Sequence, residues 1–239
     1  MKGIVFDLDN TLYDRYATIR AFMEAGYSRI KPFINPGYDF EKAYEHVCHT
    51  ESLFVCDGWK PVYNHLLEEH FFNADNIPSY EKFHHFTLEG FYHYAIGFDG
   101  IHEFLDELKM RGYQLAILTN MANNTDLQHV KLELLDLKKY FDVIVISGEY
   151  SKLMCGDAEN RLYAKPNPLV FQYTAEQLGM EPSDLYYVGD NPKNDVMGAY
   201  NSGYTPIWVR SRSPWLLENK YIPKICVDNV KEILDFLVK

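Results

Sequence analysis

Seven polar side chains stand where apolar runs of this sequence stop. Asp7 and Asp9 follow the run ending at Phe6, Thr119 and Asn120 follow the run at 114–118, and Asp190 and Asp195 lie in "LYYVGDNPKND" behind the run at 185–188. Lys165 stands in "AKPNP", immediately before a helical pattern opened by a proline. In an open α/β sheet, ligands sit beyond the carboxyl ends of the strands, which is where these residues fall. Four carboxylates gathered there would repel and raise one another's pKa unless a cation sat among them. Oxygen donors with no His or Cys cluster beside them suit a hard divalent ion, and Mg²⁺ usually takes one or two carboxylates together with waters and a substrate phosphate. A plainer account also exists for single members. An Asp after a strand often just orders a turn or caps a helix, as Asp195 and the neighbouring Asn10 and Thr11 could do. Capping does not call for two acids flanking a Leu at a buried strand end, so Asp7 and Asp9 are the strongest pair.

The elements that must position these groups can be read from periodicity. Runs of four or five Ile, Val, Leu or aromatic residues at 3–6, 114–118, 143–146, 185–188 and 206–209 read as strands covered on both faces. Between them, Ile101, Phe104, Leu105 and Leu108 follow helical spacing and stop before Gly112. The stretch 168–178 has Pro at its first turn and Gly179 after its last, and 229–238 reads as a closing helix through Val230, Ile233, Leu234 and Leu237. Strands alternating with helices predict an α/β fold, a doubly wound parallel sheet of Rossmann-like type.

The alternation breaks between about residues 15 and 98, where no strand run occurs and helices are punctuated by Pro32, Pro36-Gly37, Asp57-Gly58 and Pro78. An inserted all-helical domain is expected there, with the α/β core at 1–14 and 99–239. The insertion holds about half of the chain's aromatic side chains in about a third of its length. A small bundle builds its core from such rings, and the sharper alternative is that a few stack on a flat substrate group. Its histidines, His46, His49, His84 and His85 among them, read as packing or solvated residues rather than metal ligands.

Composition limits the partners. The chain has 239 residues, 23 Lys and Arg against 34 Asp and Glu, and a net charge of −11. No basic run gives the footprint of a nucleic-acid binder, so a nucleic acid polymer or an anionic membrane is not an expected partner. Cys48, Cys56, Cys155 and Cys226 show no C-x-x-C spacing and read as reduced packing thiols. With no signal-peptide pattern and no apolar stretch of ~20 residues, a cytoplasmic location is the expectation. A homodimer is compatible with the sequence but not required by it.

"DLDNT" at 7–11, "LTN" at 118–120, "AKPNP" at 164–168 and "GDNPKND" at 189–195 resemble, in order, the four motifs of the haloacid dehalogenase-like hydrolase superfamily. The helical insertion then corresponds to that family's cap, placed between its first and second motifs. The resemblance implies a phosphatase in which Asp7 is the nucleophile and Asp9 the general acid and base, its pKa raised for the purpose. It implies that Thr119 and the amide of Asn120 bind the phosphoryl oxygens and that Lys165 neutralises charge on both nucleophile and phosphate. Mg²⁺ would be held by Asp7, Asp190 and the backbone carbonyl of Asp9, with Asp195 orienting a water or Lys165.

Within that superfamily the retained second acid, Asp9, argues against displacement of halide from carbon, because no alcohol then needs a proton. A phosphonatase would need a cap lysine for a Schiff base, and Lys31, Lys42, Lys60 and Lys82 stand in no context that suggests it. The expected substrate is a small phosphomonoester, a nucleoside monophosphate or a sugar phosphate, with the aromatic insertion tipping slightly to nucleotides. A sugar-phosphate mutase and a catalytically silent binding module are the alternatives. One departure from the family pattern is the polar segment between Glu149 and Lys165, longer than the common connection and expected to be a surface loop or hairpin with a turn at Gly156-Asp157.

Overall fold

Strand β1 (Gly3–Phe6) is buried along its whole length and lies at the centre of the sheet. The structure, a computed structural model, describes residues 3–54, 58–121, 125–159, 161–211 and 215–237. Cys56, Asp57 and Val238, used in the sequence reading, lie outside them. The chain divides into two compact units, Met1–Asp14 with Gly97–Lys239, and Arg15–Ile96.

In the inserted unit the described elements are all helical: α1 (Arg15–Ala25), the short α2 (Tyr27–Ile30), α3 (Phe40–Leu53), α4 (Trp59–Glu68) and α5 (Tyr80–His93). The side chains of Asp39 and Ser79 accept the backbone N–H of Lys42 and Lys82 and so start α3 and α5. Pro32 does not separate helices as its ring chemistry suggests. It sits in the first turn of a 3-10 segment, Lys31–Phe33, that directly continues α2, a position where its missing N–H costs nothing. The rings pack mainly on one another, as in Phe22 with Phe91, Trp59 with Phe83, and Tyr63 with Phe72.

In the α/β unit, α6 (Ile101–Met110) leads into β2 (Gln114–Thr119), α7 (Thr125–Leu134), β3 (Val143–Ile146) and α8 (Ser147–Cys155). Then follow α9 (Pro168–Leu178), β4 (Leu185–Gly189), a π-helical turn at Pro192–Met197, α10 (Gly198–Asn201), β5 (Thr205–Val209) and β6 (Ile225–Val227). All six strands are parallel, in the order β3-β2-β1-β4-β5-β6. This is the doubly wound α/β sheet that the alternation of apolar runs predicts. Val5, Leu118, Phe171 and Tyr187 belong to its core. Among the described residues no helix is long and apolar enough to cross a membrane.

Three expectations are corrected. The segment after Glu149 is not a loop or hairpin throughout: residues 150–155 belong to α8, ended by Gly156 in the left-handed conformation (φ 78), and a 3-10 turn lies further on at Arg161–Tyr163. The closing helix is a 3-10 helix, Val230–Asp235, whose buried Val230 and Ile233 lie three residues apart, the 3-10 repeat. The sheet also gains β6 at its edge, an Ile-Cys-Val run only three residues long and shorter than the runs read as strands.

Candidate active site

Connections run outward in both directions from β1, so the strand order reverses between β1 and β4, where such sheets open a crevice at their carboxyl ends. Register places Phe6 beside Val188 and Ile117. The Asp7 N–H donates to the Val188 carbonyl at 2.8 Å, extending the ladder by one residue. Asp7 and Asp190 therefore leave adjacent strands at nearly the same level. The chain then closes tightly: Thr11, Leu12 and Tyr13 N–H groups all donate to the Leu8 carbonyl, and Asn10 takes the left-handed conformation at φ 56. Asn tolerates that conformation better than most residues, which is the local reason for it here.

Carboxylate oxygens of Asp7, Asp190 and Asp195 lie within 4.8 Å of one another, and all three residues are buried. Lys165 joins them, its Nζ 2.7 Å from Asp7 Oδ1 and 2.7 Å from Asp195 Oδ1. The same ammonium donates to the Tyr187 hydroxyl at 2.8 Å, which lies 2.8 Å from the Leu118 carbonyl it donates to. Asp195 spends its other oxygen on the Asn191 N–H at 2.8 Å. With both oxygens engaged, Asp195 orients Lys165 and the loop after β4. Gly189 makes this approach possible, since a Cβ there would lie 2.5 Å from Asp195 Cγ.

Charge in this cluster is unbalanced. Burial, opposed by Lys165 and aided by Asp195, pushes the Asp7 carboxyl up from its ordinary 3.8 to about 7. Burial, with Asp195 and Asp7 adding to it, puts Asp190 well above the usual carboxylate range, although Ser211 hydrogen-bonds to it. For Lys165, burial works against the ammonium, but Asp195 and Asp7 more than offset it and its pKa rises. Tyr187 is pushed well above its ordinary value by burial first and then by Asp195 and Asp7, so its hydroxyl stays protonated. Three buried all-oxygen donors faced by one ammonium form a set that a hard divalent cation fits and that a soft or nitrogen-seeking metal does not.

Asp9 points elsewhere. Its carboxylate meets Lys131 Nζ at 2.6 and 2.9 Å and Gln128 Nε2 at 3.0 Å. Its side chain is not among the carboxylates that converge with Asp7, so only its backbone carbonyl is available for the metal role expected of it. Gln128 Nε2 also donates to Thr119 Oγ1 and to the Asn120 carbonyl, both at 2.9 Å, and thereby ties the end of β2 to Asp9. Lys131 has no exposed surface, and its Nζ lies 4.7 Å from the Tyr13 ring centroid.

The side-chain amide of Asn120 is engaged, so the phosphoryl-binding role expected of Asn120 falls to its backbone N–H. Its side chain brackets the Lys165 backbone, Oδ1 accepting the Lys165 N–H at 2.9 Å and Nδ2 donating to the Lys165 carbonyl at 3.2 Å. The expected residues Asp7, Asp190, Asp195 and Lys165 thus form one cluster, while Asp9, Thr119 and Asn120 are linked through Gln128 on α7. Gln128 and Lys131 are absent from the sequence reading. Their one signal is a polar pair spaced i, i+3 on a helix that starts just after the Thr119-Asn120 strand end.

A family model for haloacid dehalogenase-like hydrolases matches residues 1–203. The chain belongs to that family and is a hydrolase. At the level of individual proteins it is similar to N-acylneuraminate-9-phosphatase of Mus musculus, with 26% identity over 98% of this chain and 92% of the relative. It is also similar to phosphoserine phosphatase of Thermus thermophilus, with 29% identity over 87% of this chain and 88% of the relative. Among solved structures, a HAD phosphatase from Thermococcus onnurineus superposes with a TM-score of 0.58 at 26% identity, covering 99% of this chain and 97% of that one.

Proposed function

We propose that this chain is a magnesium-dependent phosphomonoester hydrolase that removes phosphate from a small phosphorylated metabolite through an aspartyl-phosphate on Asp7. The observation that carries the reading is the convergence of buried Asp7 and Asp190 carboxylates with the Lys165 ammonium at the carboxyl ends of β1 and β4. Relatives named as phosphatases of N-acylneuraminate and of phosphoserine support it. The aromatic content of the insertion tips the substrate only slightly from a sugar phosphate toward a nucleoside monophosphate.

In the first step the Asp7 carboxylate attacks phosphorus and the bond to the ester oxygen breaks, that oxygen leaving with a proton from Asp9. In the second, Asp9 takes a proton from water as its oxygen attacks phosphorus, which frees Asp7 and inorganic phosphate. Lys165, held by Asp195, Tyr187 and its bracketed backbone, offsets negative charge between Asp7 and the phosphoryl group. Thr119 Oγ1, fixed by Gln128, offers its hydroxyl to a phosphoryl oxygen. Asp7, Asp190 and the Asp9 carbonyl would hold Mg²⁺, which when bound lets an anionic nucleophile and an anionic ester approach.

Release of phosphate from p-nitrophenyl phosphate with and without Mg²⁺ tests the reading, with Asp7→Asn as the control. Turnover that needs both Mg²⁺ and Asp7 is expected; equal turnover by the two proteins would remove Asp7 from its role.

A further inference from the structure

Inside the helical insertion lies a cavity of about 190 Å³. Its walls include Phe22, Phe33, Trp59, Phe72, Phe83 and Phe86. Packed interiors rarely keep voids larger than a water molecule, and an apolar cavity of about 150 Å³ stays dry and takes up benzene. This one is larger and lined by rings.

The void is not general looseness. A Cβ at Gly90 would lie 2.5 Å from Phe22 Cγ, and one at Gly26 would lie 2.6 Å from Phe86 Cε2. Both rings are thus pressed against backbone on one side while their other parts border the cavity. Phe22 and Phe86 meet edge to face at 5.7 Å, and Phe83 is held between Trp59 at 5.9 Å and Phe72 at 6.1 Å. These rings cannot turn into the space without losing those contacts, so the cavity persists because its walls are fixed.

The exposed side chains of the lining are Arg29, Lys82 and His85, and they mark its mouth. Arg29 is paired with Glu89 at 2.9 Å. Lys82 lies 4.0 Å above the Phe33 ring and, among the described residues, has no carboxylate partner. We infer that this cavity binds a small aromatic carboxylate, its ring among the phenylalanines and its anionic end at Lys82. The site lies wholly within the insertion and does not depend on the phosphatase reading.

The test uses the full chain labelled with ¹³C at its methionine methyls, titrated with 2-naphthoate and, for comparison, with uncharged 2-naphthalenemethanol. Met23 lines the cavity, so its methyl resonance, assigned with Met23→Leu, should shift saturably while the other methionines stay in place. Val47→Phe and, independently, Ile34→Phe place a ring in the space and should abolish the shift while the protein keeps its thermal midpoint or gains on it. Lys82→Gln should weaken naphthoate several-fold and leave the alcohol unchanged. No saturable shift at Met23, or naphthoate binding that survives both filling variants in folded protein, would overturn the proposal. Equal affinity of Lys82→Gln and the parent protein for naphthoate would overturn the carboxylate part of it.

Discussion

The Lys131 ammonium, with no exposed surface of its own, holds both carboxylate oxygens of Asp9, at 2.6 and 2.9 Å. Asp9 keeps 24% of its side chain exposed, so it can be solvated when that ammonium is removed. Lys131→Met should therefore fold and lower turnover by about 10–100-fold, the range for partners that orient an active-site ligand. The loss should be steeper for alkyl phosphates than for p-nitrophenyl phosphate, whose leaving group needs no proton. A uniform loss across a leaving-group series would mean that Lys131 serves the fold and not Asp9.

Asp7→Asn should reduce turnover by three orders of magnitude or more, on the order seen when a nucleophile is removed. It also removes one of the crowded carboxylates, so the metal-free variant should melt no lower than the parent. Calorimetry of both proteins in EDTA checks this.

Gly189→Ala would push a methyl against Asp195, whose Cγ lies 2.5 Å from the new Cβ. The side chain must move and release Lys165. A stability loss of about 1–3 kcal/mol is expected from the overpacking, together with lower turnover and weaker Mg²⁺ dependence. Urea denaturation and a Mg²⁺ titration of activity measure the two effects separately.

The Asp7 carboxyl rises from 3.8 to about 7 on folding, so between those values the folded protein holds a proton that the unfolded chain has lost. Its contribution to stability is present below about pH 4 and is lost as pH rises through about 7. The metal-free protein should accordingly melt lower at pH 8 than at pH 5, and Asp7→Asn should flatten that slope. Mg²⁺ should restore more stability at pH 8, roughly 2.7 kcal/mol when present at a hundred times its Kd. A parent protein and a variant with parallel pH profiles would contradict the assignment.

Tyr187→Phe deletes a hydroxyl that accepts from Lys165 and donates to the Leu118 carbonyl. Leaving those buried partners short should cost about 1–3 kcal/mol, read as a lower urea midpoint with an unchanged slope.

The sheet and the Asp7, Asp190, Asp195 and Lys165 cluster were legible in the sequence because buried parallel strands are short apolar runs and chemistry collects at their carboxyl ends. α7 was not, since its buried face is Leu127, Gln128, Lys131 and Leu132, half of it polar, and so shows no apolar stripe. α8 hid for a related reason: beside a single large ring, Tyr150, the residues that face inward are Ser147, Gly148 and Ser151, small or polar residues that read as a loop, and Ser151 donates back to the Ser147 carbonyl. A sequence shows a lysine but not its depth, which is why Lys131 escaped notice. Three residues at an edge, as in β6, are too few to form a pattern.

Because Asn120 grips the peptide at Lys165 by both its N–H and its carbonyl, that ammonium is anchored to β2 and not to the chain leading up to it. The turn where Asp157 accepts the Glu159 N–H is thereby mechanically insulated from the chemistry. It offers a place to splice in a reporter or a binding loop, and lengthening it there should leave turnover unchanged.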